Sequence, residues 1–217
     1  GISRGKIRMR TADHRRLGQY LLREIEEYKN LPLLHKISFV WGNIEPDINY
    51  VTYLKGFSEN KKFQGHHSQN GMKHIKKLTE KIEGKPLNVI TCYRAGKLTH
   101  YIADAFTFPH NDGFTGNIKN HMSYERRLHY KFSQYLDKAS FPFQVRTQEP
   151  DPWAAFACMH ARYISSRKTQ TDDIEYMLRA AGQVLISIAQ RSVQRKGFYC
   201  PFMVQQNNCP ISEKISF

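Results

Sequence analysis

Between Leu98 and His129 the chain reads LTHYIADAFTFPHNDGFTGNIKNHMSYERRLH, and four of its ten histidines fall there. His100 and Asp104 stand four residues apart, as do His121 and Glu125, with His110 between the two pairs, beside Pro109. On a helix that spacing puts two side chains on one face, with Cβ atoms about 5–6 Å apart. A lone His-x-x-x-Asp or His-x-x-x-Glu is ordinarily a surface ion pair. Two such pairs flanking a third histidine, among Tyr, Phe and Ile, are harder to leave at a surface, and they are costly to bury without a cation. Imidazole and carboxylate without thiolate suit zinc or a similar divalent ion. Helical bundles build such sites from ligand pairs on facing helices.

Other residues join this set. Asp47, in EPDIN, sits where Gly and Pro suggest a loop or the entrance to a helix, a constrained setting for a carboxylate ligand. His14 begins the first amphipathic segment. GHHS at 65–68 offers His66 or His67; adjacent side chains point apart, so one of the two is expected to reach an interior metal. His35, His74, His129 and His160 have no such setting and are read as structural.

The elements that must position these residues are helices. TADHRRLGQYLLREIEEY (11–28) opens on cap-type residues and puts Leu17, Leu21, Leu22 and Ile25 on one face. Segment 68–84 has Met72, Ile75, Leu78 and Ile82 at helical spacing and closes on Gly84. Segment 86–106 starts at a proline and is mostly apolar, which predicts a buried helix ending near FPHNDG. Segment 117–136, DPWAAFACMHARYISS and TDDIEYMLRAAGQVLISIAQRSVQR complete the pattern. Alternating strand patterns are nearly absent. The expectation is an all-α, single-domain bundle of six to eight helices spanning 1–217.

The totals fit one core. The longest apolar runs fall short of the roughly 18–20 residues that cross a bilayer. The start is basic without an apolar stretch behind it, so a cytoplasmic chain is expected as given, or a secreted one if a leader has been removed. Of the four cysteines only Cys200 and Cys209 are close enough for a local disulfide, and no Cys-x-x-Cys pair is present. A formal net charge of +14 points to an anionic partner: a phosphorylated substrate, an anionic membrane surface or nucleic acid. The plain alternative is a solvated basic surface.

The ordered set His14, Asp47, His66 or His67, His100, Asp104, His110, His121, Glu125 resembles the zinc-dependent phospholipase C family. That family includes bacterial phosphatidylcholine-preferring phospholipases C and the clostridial alpha-toxin, and is related to fungal single-strand-specific nucleases. Its sharpest motif, HYxGD followed by a histidine and then HxxxE, reads here as HYIAD, His110 and HMSYE. The resemblance covers positions 14 to 125 and implies an all-α fold with two or three zinc ions. One ion would take Asp47, His66, His100 and Asp104, a second His110, His121 and Glu125. A third would take His14 and share Asp104 as a bridge. His66 is preferred to His67 because a Phe three residues ahead of it matches the family segment. Ala103 replaces the usual Gly or Thr before the aspartate, and Pro109 lies one place late. The family completes its third zinc with an N-terminal tryptophan, whereas this chain opens on Gly1 and its tryptophans are Trp41 and Trp153. The implied activity is release of a phosphorylated head group from phospholipid, through in-line attack of a zinc-activated water with Asp47 orienting it. Phe106, Phe108 and Tyr101 are candidates for an acyl-chain mouth, with a core position as the alternative for each and the preferred reading for Tyr101. A single-strand nuclease or nucleotidase with the same cluster is the alternative, and a non-catalytic basic metal- and lipid-binding module a third.

Overall fold

A computed structural model describes residues 11–48, 68–111, 118–138, 151–166 and 169–194. Among them all regular structure is helical: α1 Thr11–Glu24, α2 Glu26–Lys29, α3 Leu33–Ile48, α4 Ser68–Ile82, α5 Val89–Ala105, α6 Ile118–Lys138, α7 Pro152–Ser165 and α8 Gln170–Gln194, with a 3-10 turn at Phe108–His110. The all-α expectation holds. The segment expected at 11–28 breaks at Ile25, whose extended backbone separates α1 from α2. Cys200 and Cys209 lie outside the described residues.

α5 is the centre of the bundle, packed against α1, α3, α4 and α8. Its sequence allows this. Cys92, Ala95, Gly96, Leu98, Ile102 and Ala103 are small or apolar and fully buried, and Thr99 returns its hydroxyl to the Ala95 carbonyl at 2.9 Å. The helix starts where Asn88 caps it, its side chain accepting from the Thr91 N–H at 2.9 Å. α7 starts in the same way on Asp151, with Pro152 in the first turn. Thr169 and Asp172 exchange side-chain and backbone hydrogen bonds of 2.8 and 3.2 Å, a reciprocal cap at the start of α8.

The one segment read against its local signals is Gly42–Ile48. Its glycine and proline suggest a loop, yet it forms the last turns of α3, with Pro46 inside the helix. Packing explains the difference. A Cβ at Gly42 would overlap the Tyr93 carbonyl oxygen of α5, and a Cβ at Gly96 would overlap the Phe39 carbonyl oxygen of α3. The reciprocal glycines let two backbones touch, and that crossing outweighs the propensity cost of glycine and proline.

Candidate metal centre

The glycine crossing sets the register of everything polar beyond it. Asn43 follows Gly42, and Asp47 lies one turn further along α3. His100 lies one turn beyond Gly96, and Asp104 one turn beyond that on α5. The pairings Ser38 with Val89, Asn43 with His100 and Glu45 with Lys97 show both helices running the same way. Their carbonyl ends therefore meet near Asp47 and Asp104, where the helix dipoles favour a cation. α1 joins from the side. The Asn43 side-chain amide donates to the His14 carbonyl, and Gly18 leaves room for that amide, which a Cβ would meet at 2.8 Å.

The His14 and His100 rings are fully buried and stacked, with centroids 3.9 Å apart. His100 Nδ1–H donates to the Asn43 carbonyl at 2.9 Å, which fixes the tautomer and turns the Nε2 lone pair inward. Asp104 presents Oδ1 to His14 Nε2 at 3.5 Å and Oδ2 to His100 Nε2 at 3.4 Å. One ligand atom each from His14, Asp47 and His100 lies within 4.8 Å of the others. Thr11 donates its hydroxyl to Asp47 Oδ2 at 3.0 Å and fixes the turn of that carboxylate.

Two observations test whether these residues fit a metal. Both ring nitrogens of His14 and Nε2 of His100 are buried and make no hydrogen bond among the described residues. His100 Nε2, and one nitrogen of a neutral His14, are acceptors; a buried acceptor without a donor is costly, and a cation is the partner it lacks. Donor atoms at 2.0–2.2 Å from a tetrahedral zinc are about 3.4 Å from one another, the separation seen between Asp104 and both imidazoles. The residues fit zinc.

The electrostatics agree. Burial lowers His100 to about 4, helped by the neighbouring His14, so its ring is neutral and able to ligate at ordinary pH. Burial also acts to lower His14, but the carboxylates of Asp104, Asp47 and Asp13 outweigh it and hold the ring above its usual value. Positive charge is favoured here, whether as a proton or as a metal ion.

The structure brings together His14, Asp47, His100 and Asp104. Glu125 is buried on α6. His110 lies in the 3-10 turn and His121 near the start of α6, but their side chains lie outside those described; His66 and His67 lie outside the described residues. Asp47, read as a loop or helix-entrance residue, is in the last turn of α3. Phe106 is not part of an open mouth. It is fully buried against Phe156, His160, Tyr163 and Tyr176, because the chain leaves α5 towards α7 and α8. Tyr101 is buried between His74 and His100, as a core residue.

Sequence reasoning missed three supports. Asn43 carries no spacing signal of its own. His129, two turns beyond His121 on α6, holds Asp13 of α1 at 2.7 Å, next to His14. Asp173, hidden beside the α8 cap, is fully buried and accepts from Tyr163 OH at 2.7 Å, Tyr124 OH at 2.8 Å and the Phe108 N–H at 3.0 Å. It ties the 3-10 turn that carries His110 to the helix that carries Glu125.

An all-α bundle whose buried imidazoles and carboxylates converge at helix ends defines a class, the helical metal-site proteins. A family model for zinc-dependent phospholipase C matches residues 13–182, and the chain belongs to that family, as its motif order implied. Comparison with curated proteins found no match, nor did comparison with solved structures.

Proposed function

We propose that the chain is a zinc-dependent phosphodiester hydrolase, a phospholipase C that releases a phosphorylated head group from phospholipid. The observation that carries this reading is the His14–Asp47–His100 set, both imidazoles buried and Asp47 half-buried, with Asp104 facing both rings, in a member of the zinc-dependent phospholipase C family. We read residues 1–217 as one such domain, holding two or three zinc ions. Asp47, His66, His100 and Asp104 would hold one, and His110, His121 and Glu125 a second. His14 would hold a third together with Asp104, whose two oxygens face different imidazoles as a bridging carboxylate requires.

Bound zinc supplies Lewis acidity, the means of making water nucleophilic near neutral pH and of offsetting phosphate charge. The chain supplies the rest. The Asn43 carbonyl holds the His100 proton on Nδ1 and keeps Nε2 aimed inward. The Asn43 amide anchors the α1 backbone at His14. Asp47, its rotation fixed by Thr11, orients the attacking water and takes its proton. The His14 and His100 rings are fully buried, which excludes bulk water from them.

The test is elemental analysis of the purified full chain followed by assay on phosphatidylcholine vesicles. Bound zinc and release of phosphocholine are expected. Full zinc occupancy with no turnover of any phosphodiester would sink the catalytic reading. Cleavage of single-stranded DNA without lipid turnover would replace the lipase with the nuclease.

A further inference from the structure

α3 has two apolar faces, and among the described residues only one is covered. Phe39, Gly42, Asn43 and Pro46 form the buried face, packed through α5. Leu33, Leu34, Ile37, Trp41, Ile44 and Ile48 lie on the opposite side. At 100° per residue they fall within one arc of about 100°, along some 24 Å of helix. Five of the six are exposed: Leu33 at 74%, Leu34 at 62%, Ile37 at 55%, Trp41 at 50% and Ile48 at 46%. This is a continuous stripe rather than scattered surface residues, and a stripe of that kind marks an interaction face.

Its surroundings say what it meets. An open groove of about 620 Å³ runs along it between α1 and α3, floored by Leu22, Val40 and Ile44 and rimmed by Arg15, Arg23, Lys29 and Lys36. Arg23 and Lys29 have carboxylate neighbours in Glu24 and Glu26. Arg15 and Lys36 make no ion pair among the described residues. Aliphatic side chains, a tryptophan and a cationic rim are the composition that seats a helix in the head-group layer of an anionic bilayer. The stripe ends at Ile48, next to Asp47, and Arg15 follows His14, so a bilayer held here lies beside the ends of the helices that carry the candidate ligands.

We propose that this outer face of α3, with its basic rim, docks the protein onto anionic phospholipid membranes. The choice of a bilayer as occupant rests on the proposed lipid substrate, but the contact itself needs no metal.

The experiment is co-sedimentation of the full chain with phosphatidylcholine vesicles, with and without phosphatidylserine, repeated after chelation. Binding is expected on the anionic vesicles, weakening with added salt and persisting without zinc. Ile37→Ser with Trp41→Ser should weaken binding by about tenfold or more. Arg15→Ala with Lys36→Ala should weaken it by on the order of twentyfold at low salt. All four side chains reach the surface, so the melting temperature should not move; a variant that melted lower would be replaced by Trp41→Lys, with the same loss expected. Unchanged binding in both double variants, or no binding by the wild type, overturns the proposal. So does a wild-type dimer that Ile37→Ser with Trp41→Ser turns into a monomer, since the face would then be an interface between copies. Docking without turnover would overturn only the hydrolase, and turnover of soluble short-chain lipid without docking would overturn only the membrane face.

Discussion

Two clusters in this bundle share almost the same ingredients and end differently. At one, Asp104 and Asp47 meet two stacked imidazoles, and three ring nitrogens make no hydrogen bond among the described residues. At the other, Asp173 meets two tyrosines and a backbone amide, and both of its oxygens accept hydrogen bonds. The difference lies in who brings the proton. A phenol carries its own to the carboxylate and closes the site. A neutral imidazole whose proton is already given to a carbonyl, as His100 gives its to Asn43, brings only a lone pair. The first cluster is short of a cation and the second is complete. Buried carboxylates alone therefore do not mark a metal site; buried carboxylates beside lone pairs without donors do.

The largest expected effect breaks that contrast or confirms it. His100→Ala should abolish binding of the ion that it would hold with Asp47 and Asp104, and lower the proposed phosphodiesterase activity by at least about 100-fold, beyond the 10–100-fold of an outer-shell change. Asp173→Asn should leave that ion in place. Elemental analysis of both variants reads the result, and equal zinc loss in the two would mean that the clusters are not different in kind.

A smaller effect separates the scaffolds. Gly96→Ala forces α5 away from Phe39 and shifts the His100–Asn43 contact. It should destabilise the fold by about 1–3 kcal/mol and weaken zinc binding as well. Asp173 is held by α6, α7, α8 and the 3-10 turn, and so its hydrogen bonds should survive. Urea denaturation gives the first quantity and competition with a chromogenic chelator the second. Lost stability with zinc affinity intact would show that the crossing does not position the site.

How much of this was legible in sequence follows from the same physics. Helical periodicity is local, and it placed α4 through α8 to within a few residues. The His100–Asp104 pair was legible because i,i+4 spacing is geometry that one helix fixes by itself. Asn43 was not, since its role depends on a crossing that brings it to His100, 57 residues away in the chain. The α3 segment misled for the same reason: Gly42 and Pro46 are breakers in isolation and close-packing residues against α5. Asp173 carries no signal in its own segment, because nothing local says that two tyrosines arrive from α6 and α7. For Phe106 mouth and core both stay open in the sequence, because proximity to His110 says nothing about which way the ring turns; the structure places it in the core.

The smallest effect concerns the closed cluster and turns on a sign. Burial pushes the Asp173 carboxyl up from an ordinary 3.8 to about 6, even though the Phe108 N–H and both tyrosine hydroxyls favour its charged form. A carboxyl whose folded pKa is raised holds its proton longer in the native state than in the unfolded one. Its contribution to stability is therefore complete below about pH 4, falls as pH rises, and is gone above about pH 6. Integrated over that window the loss is about 1–3 kcal/mol. In Asp173→Asn the titrating group is absent, so the stability difference between wild type and variant should shrink by that amount from pH 4 to pH 6.5. Histidines titrating over the same range are common to both proteins and cancel. Paired urea titrations at the two pH values measure it. A constant difference would mean that the three hydrogen bonds offset burial and that Asp173 is ionised throughout. The closed cluster would then hold a buried negative charge satisfied by donors alone, and the contrast with the metal centre would rest on the imidazoles only.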